Sequence, residues 1–206
     1  MTLPNQLSLL RIILTPVFVV TFCVDNLLLN YLSFFVFALA SITDYYDGVL
    51  ARKLGKVTLW GRFLDPLADK ILISTAFIVF AMFKYIRMWM VVVIVSRDLI
   101  ITGLRFYAMF KGKPIQTSHM AKAKTFSQVL VIYLIFFYAL LQRTLMQEGR
   151  TSWLLQKLEA WNLINLAMLF VTLLTLLSGI KYLIENREHL KSMVIDFYHV
   201  FVPSDL

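Results

Sequence analysis

Charge is scarce in this chain. Only 16% of its 206 residues are charged and 60% are hydrophobic, whereas a soluble domain carries roughly 25% charged residues. The mean hydropathy is +0.76. Too little polar surface remains to clothe a water-soluble globule, so the composition points to a bilayer as solvent. Cysteine is nearly absent: Cys23 stands alone, which excludes an intramolecular disulfide. No Cys/His cluster has zinc-ligand spacing, and the scattered His119, His189 and His199 read as ordinary polar positions near the membrane boundary. No basic run is interleaved with aromatics, so the net charge of +8 reports topology and anionic headgroups rather than nucleic acid. Repeats, low-complexity tracts and Gly/Ser linkers are missing as well, which implies one domain over 1–206. The first apolar run lacks the charged start and small-residue cleavage site of a signal peptide, and is expected to be a retained span.

What is present is a series of apolar stretches, each about the 20 residues that a spanning helix needs. They lie near 9–24, 27–51, 59–83, 88–110, 120–141 and 161–184. The expected fold class is an all-α integral membrane protein with six transmembrane helices and short interfacial helices at the termini. With both termini on one side, that side collects thirteen basic residues, namely Arg11, Arg52, Lys53, Lys56, Arg62, Arg105, Lys111, Lys113, Lys122, Lys124, Lys181, Arg187 and Lys191. The other side holds five: Lys84, Arg87, Arg143, Arg150 and Lys157. The positive-inside rule places the first group, and both termini, in the cytoplasm of a cell membrane such as a bacterial inner or plasma membrane. Trp89, Trp153 and Trp161 suit an outer aromatic belt and Trp60 an inner one. Residues 189–202 place Leu190, Met193, Val194, Phe197, Tyr198 and Phe201 at helical spacing, the pattern of a helix lying on the interface. Pro4–Arg11 is expected to start in a similar way, with Pro4 or Asn5 opening the helix.

Acidic residues number only 12, yet Asp44, Asp47, Asp65 and Asp69 fall inside apolar spans. A charged side chain at mid-membrane costs roughly 2.5–3.5 kcal/mol on an insertion scale, so four cost on the order of 10 kcal/mol. Cations must accompany them. Asp44, Asp47, Gly48, Ala51 and Arg52 recur at helical spacing on one face; Gly61, Asp65 and Asp69 form a second stripe on the next helix. Antiparallel packing about the turn between them brings the stripes opposite each other, and the small residues leave room for close approach or a ligand. Four converging carboxylates suit Mg²⁺ or Mn²⁺. Two such ions can clamp a diphosphate, and Arg52 could neutralise phosphate charge. An ion or proton pathway is the alternative for buried acids.

The segment Asp44-Tyr-Tyr-Asp47-Gly48-Val-Leu-Ala51-Arg52, followed after eight residues by Gly61-Arg-Phe-Leu-Asp65-Pro-Leu-Ala-Asp69, resembles the CDP-alcohol phosphotransferase family, with all eight fixed positions present. The resemblance implies a six-helix homodimer with a cytoplasm-facing cavity. It also implies two metals, Mg²⁺ or Mn²⁺, held by Asp44, Asp47, Asp65 and Asp69. The nucleotide and its diphosphate would lie along Asp44, Gly48, Ala51 and Arg52, with Gly61 among the same positions. Asp69 would be the general base, and as such must reach the acceptor hydroxyl within about 2.6–3.2 Å.

The second half carries Arg97 inside the fourth span, Arg105 two turns on, and Lys122 and Lys124 at the start of the fifth. These four suggest a basic pocket for an acceptor phosphate. The alternatives are a buried pair between Arg97 and Asp98, and headgroup contacts for the others. The stretches Arg97-Asp98-Leu-Ile-Ile-Thr-Gly-Leu104-Arg105 and Ala121-Lys122-Ala-Lys124-Thr125 look like the phosphatidylglycerophosphate synthase subgroup, although Asp98 stands where many members have glutamate. Pro4-Asn5-Gln6-Leu7-Ser8 and Leu64-Asp65-Pro66-Leu-Ala-Asp69-Lys70 look like it too. That subgroup uses CDP-diacylglycerol and sn-glycerol 3-phosphate, giving phosphatidylglycerol phosphate and CMP, with membrane lipids around it. A cardiolipin synthase or an inositol-phosphate transferase is the alternative within the family. A metal or proton transporter and a non-catalytic lipid-binding scaffold are the alternatives outside it. Thr43, Tyr45, Tyr46 and Lys70 lie near the expected site without an assigned role.

Overall fold

A computed structural model describes residues 3–54, 59–112, 119–149, 153 and 162–201; within these, the side chains of 3–5, 44–54, 59–66, 119–122 and 197–201 are outside the description. The described residues form seven α-helices: α1 Leu3–Cys23, α2 Leu27–Leu54, α3 Leu59–Met82, α4 Met88–Phe110, α5 His119–Gln147, α6 Leu163–Glu185 and α7 Arg187–Phe201. Six of them coincide with the six apolar runs, and α7 with the amphipathic tail. The described residues are all-α, as the sequence periodicity predicts.

Among the described residues, three helices are long and apolar enough to cross a membrane by composition: Gln6–Cys23, Ala123–Gln147 and Leu163–Glu185, with a shorter apolar stretch at Leu27–Thr43 in α2. α3 carries Asp69 and Lys70 within its length, and α4 carries Arg97, Asp98 and Arg105. One expectation is corrected. The N-terminus forms no separate interfacial helix, since α1 runs unbroken from Leu3 through Arg11 and past Pro16 to Cys23. Pro4 sits in its first turn, where the missing N–H costs no helical hydrogen bond.

Short, specific turns set the antiparallel order. Between α1 and α2, Asn26 Oδ1 accepts from the backbone N–H of Leu28 (2.9 Å) and Leu29 (3.2 Å), capping α2. Asn30 turns its amide back to Val24 O, 3.0 Å away. At the end of α3, Lys84 adopts φ 62°, and the N–H groups of Lys84 and Tyr85 close onto Ala81 O and Phe80 O at 3.0 Å each. This double closure stops the helix and satisfies its last carbonyls.

α1 packs against both α2 and α3; α5 packs against α2, α3 and α6; α4 packs against α3 and α6. The core is a phenylalanine cluster at the end remote from the acidic motif. Phe136 of α5 lies at its centre, 5.1–5.7 Å from the rings of Phe18, Phe22, Phe34, Phe37 and Phe80. Apolar residues gain little by leaving lipid for protein, so packing of this kind holds membrane helices together, each aromatic pair adding about 0.5–1.5 kcal/mol. Ile13, Val20, Leu28, Phe35, Phe170 and Leu177 are exposed on the outside, as a lipid-facing belt requires. The polar residues gather at the other end.

Candidate active site

Alternation of helix direction gathers particular halves at one end of the bundle. The second halves of α2, α4 and α6 meet there with the first halves of α1, α3 and α5. Asp44 and Asp47 lie one turn apart on α2, and Asp65 and Asp69 one turn apart on α3. Carboxylates in pairs at helical spacing are oxygen donors of the type that hard divalent cations take. The side chains of Asp44, Asp47, Gly48, Ala51, Arg52, Gly61, Asp65 and Lys122 lie outside the described residues. Among the described residues, no group of three or more potential metal ligands occurs. Asp69 is the one motif aspartate whose side chain is described. It is partly exposed, and its Oδ2 stands 3.3 Å from Lys70 Nζ.

Beside Asp69, three helices, α3, α4 and α5, converge on Asp98, whose side chain is 3% exposed. Lys124 of α5, buried to 1% exposure, donates to both carboxylate oxygens of Asp98. Arg97 Nη1 donates to Asp98 Oδ1 at 3.0 Å, and Gln128 Nε2 to Oδ2 at 3.4 Å. Lys70 Nζ of α3 reaches to 3.7 Å from Oδ2. The far side of the Arg97 fork, Nη2, donates to Ser178 Oγ of α6 at 2.9 Å. Gly179 makes that approach possible: a Cβ there would lie 2.9 Å from Arg97 Cγ and Nε. Asp69, Lys70, Asp98, Lys124, Arg97 and Ser178 thus form one polar chain across α3, α4, α5 and α6.

The charges in this chain do not balance. Lys70, Arg97 and Lys124 carry three positive charges against the two carboxylates of Asp69 and Asp98, an excess of one. Burying unpaired ions costs several kcal/mol each in an apolar interior, so the excess favours an anionic guest. Arg97 Nε and Gln128 Oε1 are buried without a hydrogen-bond partner among the described residues, leaving one donor and one acceptor atom here unused. Arg105 lies two turns beyond Arg97 on α4 and is half-buried.

Of the residues expected from sequence, Asp69, Arg97 and Lys124 are therefore brought into one cluster, and Arg105 lies farther along the same helix. The pairing of Arg97 with Asp98, one of the alternatives open from sequence, is present. It is one contact of a larger assembly that sequence reading did not foresee. Gln128, Ser178 and Gly179 were missed. Their only signals were polar or small residues placed inside apolar runs. Arg11, counted from sequence among the cytoplasmic charges, is fully buried within the bundle.

Comparison with known proteins identifies the family. A family model described as CDP-alcohol phosphatidyltransferase matches residues 1–179. A CDP-diacylglycerol–glycerol-3-phosphate 3-phosphatidyltransferase of Bacillus subtilis is 34% identical over 202 residues, covering 92% of this chain and 97% of the relative. A protein of the same name from Salmonella paratyphi A is 32% identical over 196 residues, covering 91% and 96%. Another from Rickettsia felis is 35% identical over 133 residues, covering 65% and 74%. With the aspartate motif, the helical bundle and a match over most of its length all in agreement, the chain belongs to the CDP-alcohol phosphatidyltransferase family.

Proposed function

We propose that this membrane enzyme transfers the phosphatidyl group of CDP-diacylglycerol to a hydroxyl of sn-glycerol 3-phosphate, giving phosphatidylglycerol phosphate and CMP. The observation that carries the acceptor is the clustering of Lys70, Arg97 and Lys124 beside Asp69, with one positive charge in excess of the Asp69 and Asp98 carboxylates. A phosphate monoester with a charge near −2 suits such a cluster. The printed names of the relatives favour the same acceptor.

In this reading Asp69 takes the proton of the acceptor hydroxyl. The freed oxygen bonds to the lipid-bearing phosphorus, and the bond from that phosphorus to the CMP oxygen breaks. Arg97, Arg105, Lys122 and Lys124 hold the acceptor phosphate, so the hydroxyl is oriented toward Asp69 before reaction. Asp44, Gly48, Ala51, Arg52 and Gly61 form the nucleotide side. The family is generally divalent-metal dependent; two Mg²⁺ or Mn²⁺ ions on Asp44, Asp47, Asp65 and Asp69 would neutralise the diphosphate. The proposal includes six membrane crossings, both termini and the site on the cytoplasmic side, a single domain and a homodimeric assembly. The alternating helices and the excess of basic residues at the motif end support the orientation.

The test is CMP release by purified protein in detergent or nanodiscs containing CDP-diacylglycerol. Glycerol 3-phosphate, phosphatidylglycerol and inositol phosphate are supplied in turn, with Mg²⁺, Mn²⁺ or chelator. Release that depends on glycerol 3-phosphate and on metal is expected. Release driven by either other acceptor, with none from glycerol 3-phosphate, would overturn the acceptor assignment.

A further inference from the structure

We propose that Asp98 is a positioning residue: as the shared counter-charge of Lys70, Arg97 and Lys124, it sets the acceptor-side cations in place relative to Asp69 before the acceptor arrives. The inference rests on the acceptor reading above and names a residue that the reading itself does not require.

Three observations carry it. First, among the described residues Asp98 is the one carboxylate that all three cations approach, and it touches groups from α3, α4 and α5 at once. A plain buried pair needs one partner, whereas Asp98 has three cationic ones and the amide of Gln128. Second, Lys70 lies between two carboxylates, 3.3 Å from Asp69 Oδ2 and 3.7 Å from Asp98 Oδ2. The arrangement of the acceptor-side cations is thereby tied to the carboxylate that takes the proton. Third, Asp98 balances only part of the positive charge. It can hold the cations close together against their mutual repulsion while leaving enough excess charge to bind a phosphate.

The chemistry of a carboxylate explains the choice of residue. Two oxygens with about four lone-pair sites can accept from an ammonium and a guanidinium together. An amide of the same shape would offer one oxygen and would direct two N–H donors at Lys124, Arg97 or Lys70. A positively charged cluster with such a centre spreads apart. Arg97 is held at its other end by Ser178 and pressed against Gly179, so Lys124 and Lys70 would move most.

The experiment compares wild type, Asp98→Asn and Asp98→Glu as full-length protein in nanodiscs, with folding checked by thermal unfolding. Asp98→Asn is expected to raise the KM for glycerol 3-phosphate by about tenfold or more, the loss of roughly one charge-assisted contact. The KM for CDP-diacylglycerol should stay within about twofold, because the nucleotide side keeps its own residues. Asp98→Glu should restore most of the loss. A readout independent of turnover is half-saturation by inorganic phosphate in a thermal-shift titration, which should weaken in Asp98→Asn and recover in Asp98→Glu. If wild type fails to turn over glycerol 3-phosphate while this phosphate titration behaves as stated, the acceptor reading fails and the role of Asp98 stands. A folded Asp98→Asn with unchanged phosphate titration and unchanged acceptor KM overturns the proposal, as does an equal rise in both KM values. Should Asp98→Asn not fold, the charge-balanced variant Asp98→Asn with Lys70→Met replaces it. Compared with Lys70→Met alone, a further selective rise in acceptor KM supports the positioning role; its absence overturns it.

Discussion

Lys70 of α3 places its Nζ 3.7 Å from Oδ2 of Asp98 on α4. The same nitrogen is 3.3 Å from Oδ2 of Asp69, so one ammonium joins the motif helix to the helix that supplies Arg97. Lys70→Met would break this link while keeping the length of the side chain. We expect kcat to fall by about tenfold, as a misplaced proton acceptor would cause. Steady-state CMP release checks it, and unchanged kcat would remove Lys70 from any role in orienting Asp69.

Asp69→Asn keeps the shape of the carboxylate and removes its ability to take a proton. General-base catalysis contributes typically 10²–10⁴-fold, and CMP release is expected to fall by about that factor or more. Thermal unfolding in detergent should show a folded protein. Near-normal turnover would show that another group accepts the proton.

Arg105→Ala is expected to raise the KM for glycerol 3-phosphate by about tenfold or more, the worth of one charged hydrogen bond, and to leave the KM for the CDP-lipid nearly unchanged. Measuring both constants in one preparation decides it. Equal increases would point to damage in the common cavity instead of a lost acceptor contact.

Gly179→Ala introduces a methyl group whose carbon would stand 2.9 Å from Arg97 Cγ and Nε. Arg97 is held at its tip by Asp98 and Ser178, so its stem cannot swing away without losing one of them. Overpacking of this kind costs about 1–3 kcal/mol. A lowered unfolding temperature and a raised acceptor KM are expected together; a variant indistinguishable from wild type in both would show that the stem has room to move.

The C-terminal helix is fastened by Asp196, which accepts from Tyr107 Oη at 2.7 Å and pairs with Lys111 Nζ at 2.7 Å. The hydrogen bond and the nearby charge of Asp196 raise the Lys111 ammonium above its ordinary pKa. For a raised pKa, the stabilising contribution is complete below the ordinary lysine value of about 10.4 and is lost as pH rises through the higher folded value. Protection of α7 from limited proteolysis should therefore be constant through neutral pH and decline above about pH 10. Salt should weaken it, because the pair is exposed. Asp196→Asn should show lower protection with no such decline, and an identical pH profile in both proteins would count against the pair.

Much of the helical architecture was legible because it depends on local rules. A run of about twenty apolar residues must form a helix in lipid, where every backbone polar group needs an internal partner. Six helices accordingly coincide with six runs, and the tail helix with the stripe from Leu190 to Phe201. The N-terminal segment was harder to read, since Pro4 fits both a short separate helix and the first turn of a long one, and local pattern cannot separate them.

The motif aspartates were also legible, because residues at i, i+3 and i+4 share a helix face whatever the helix packs against. The cluster around Asp98 was not. Lys70, Asp98, Lys124 and Ser178 lie on four different helices, and Arg97 meets Ser178 across 81 positions of the chain. Periodicity gives the direction of a side chain around its own axis and says nothing of how neighbouring axes are rotated and spaced. Those quantities come from close packing, such as the ring contacts about Phe136 and the bare backbone at Gly179. By itself the amino-acid order determined that this chain is helical, suited to a membrane and armed with two pairs of aspartates. Only the tertiary structure decided that Asp98 would gather three cations beside Asp69, since that depends on interhelical distances no single helix contains.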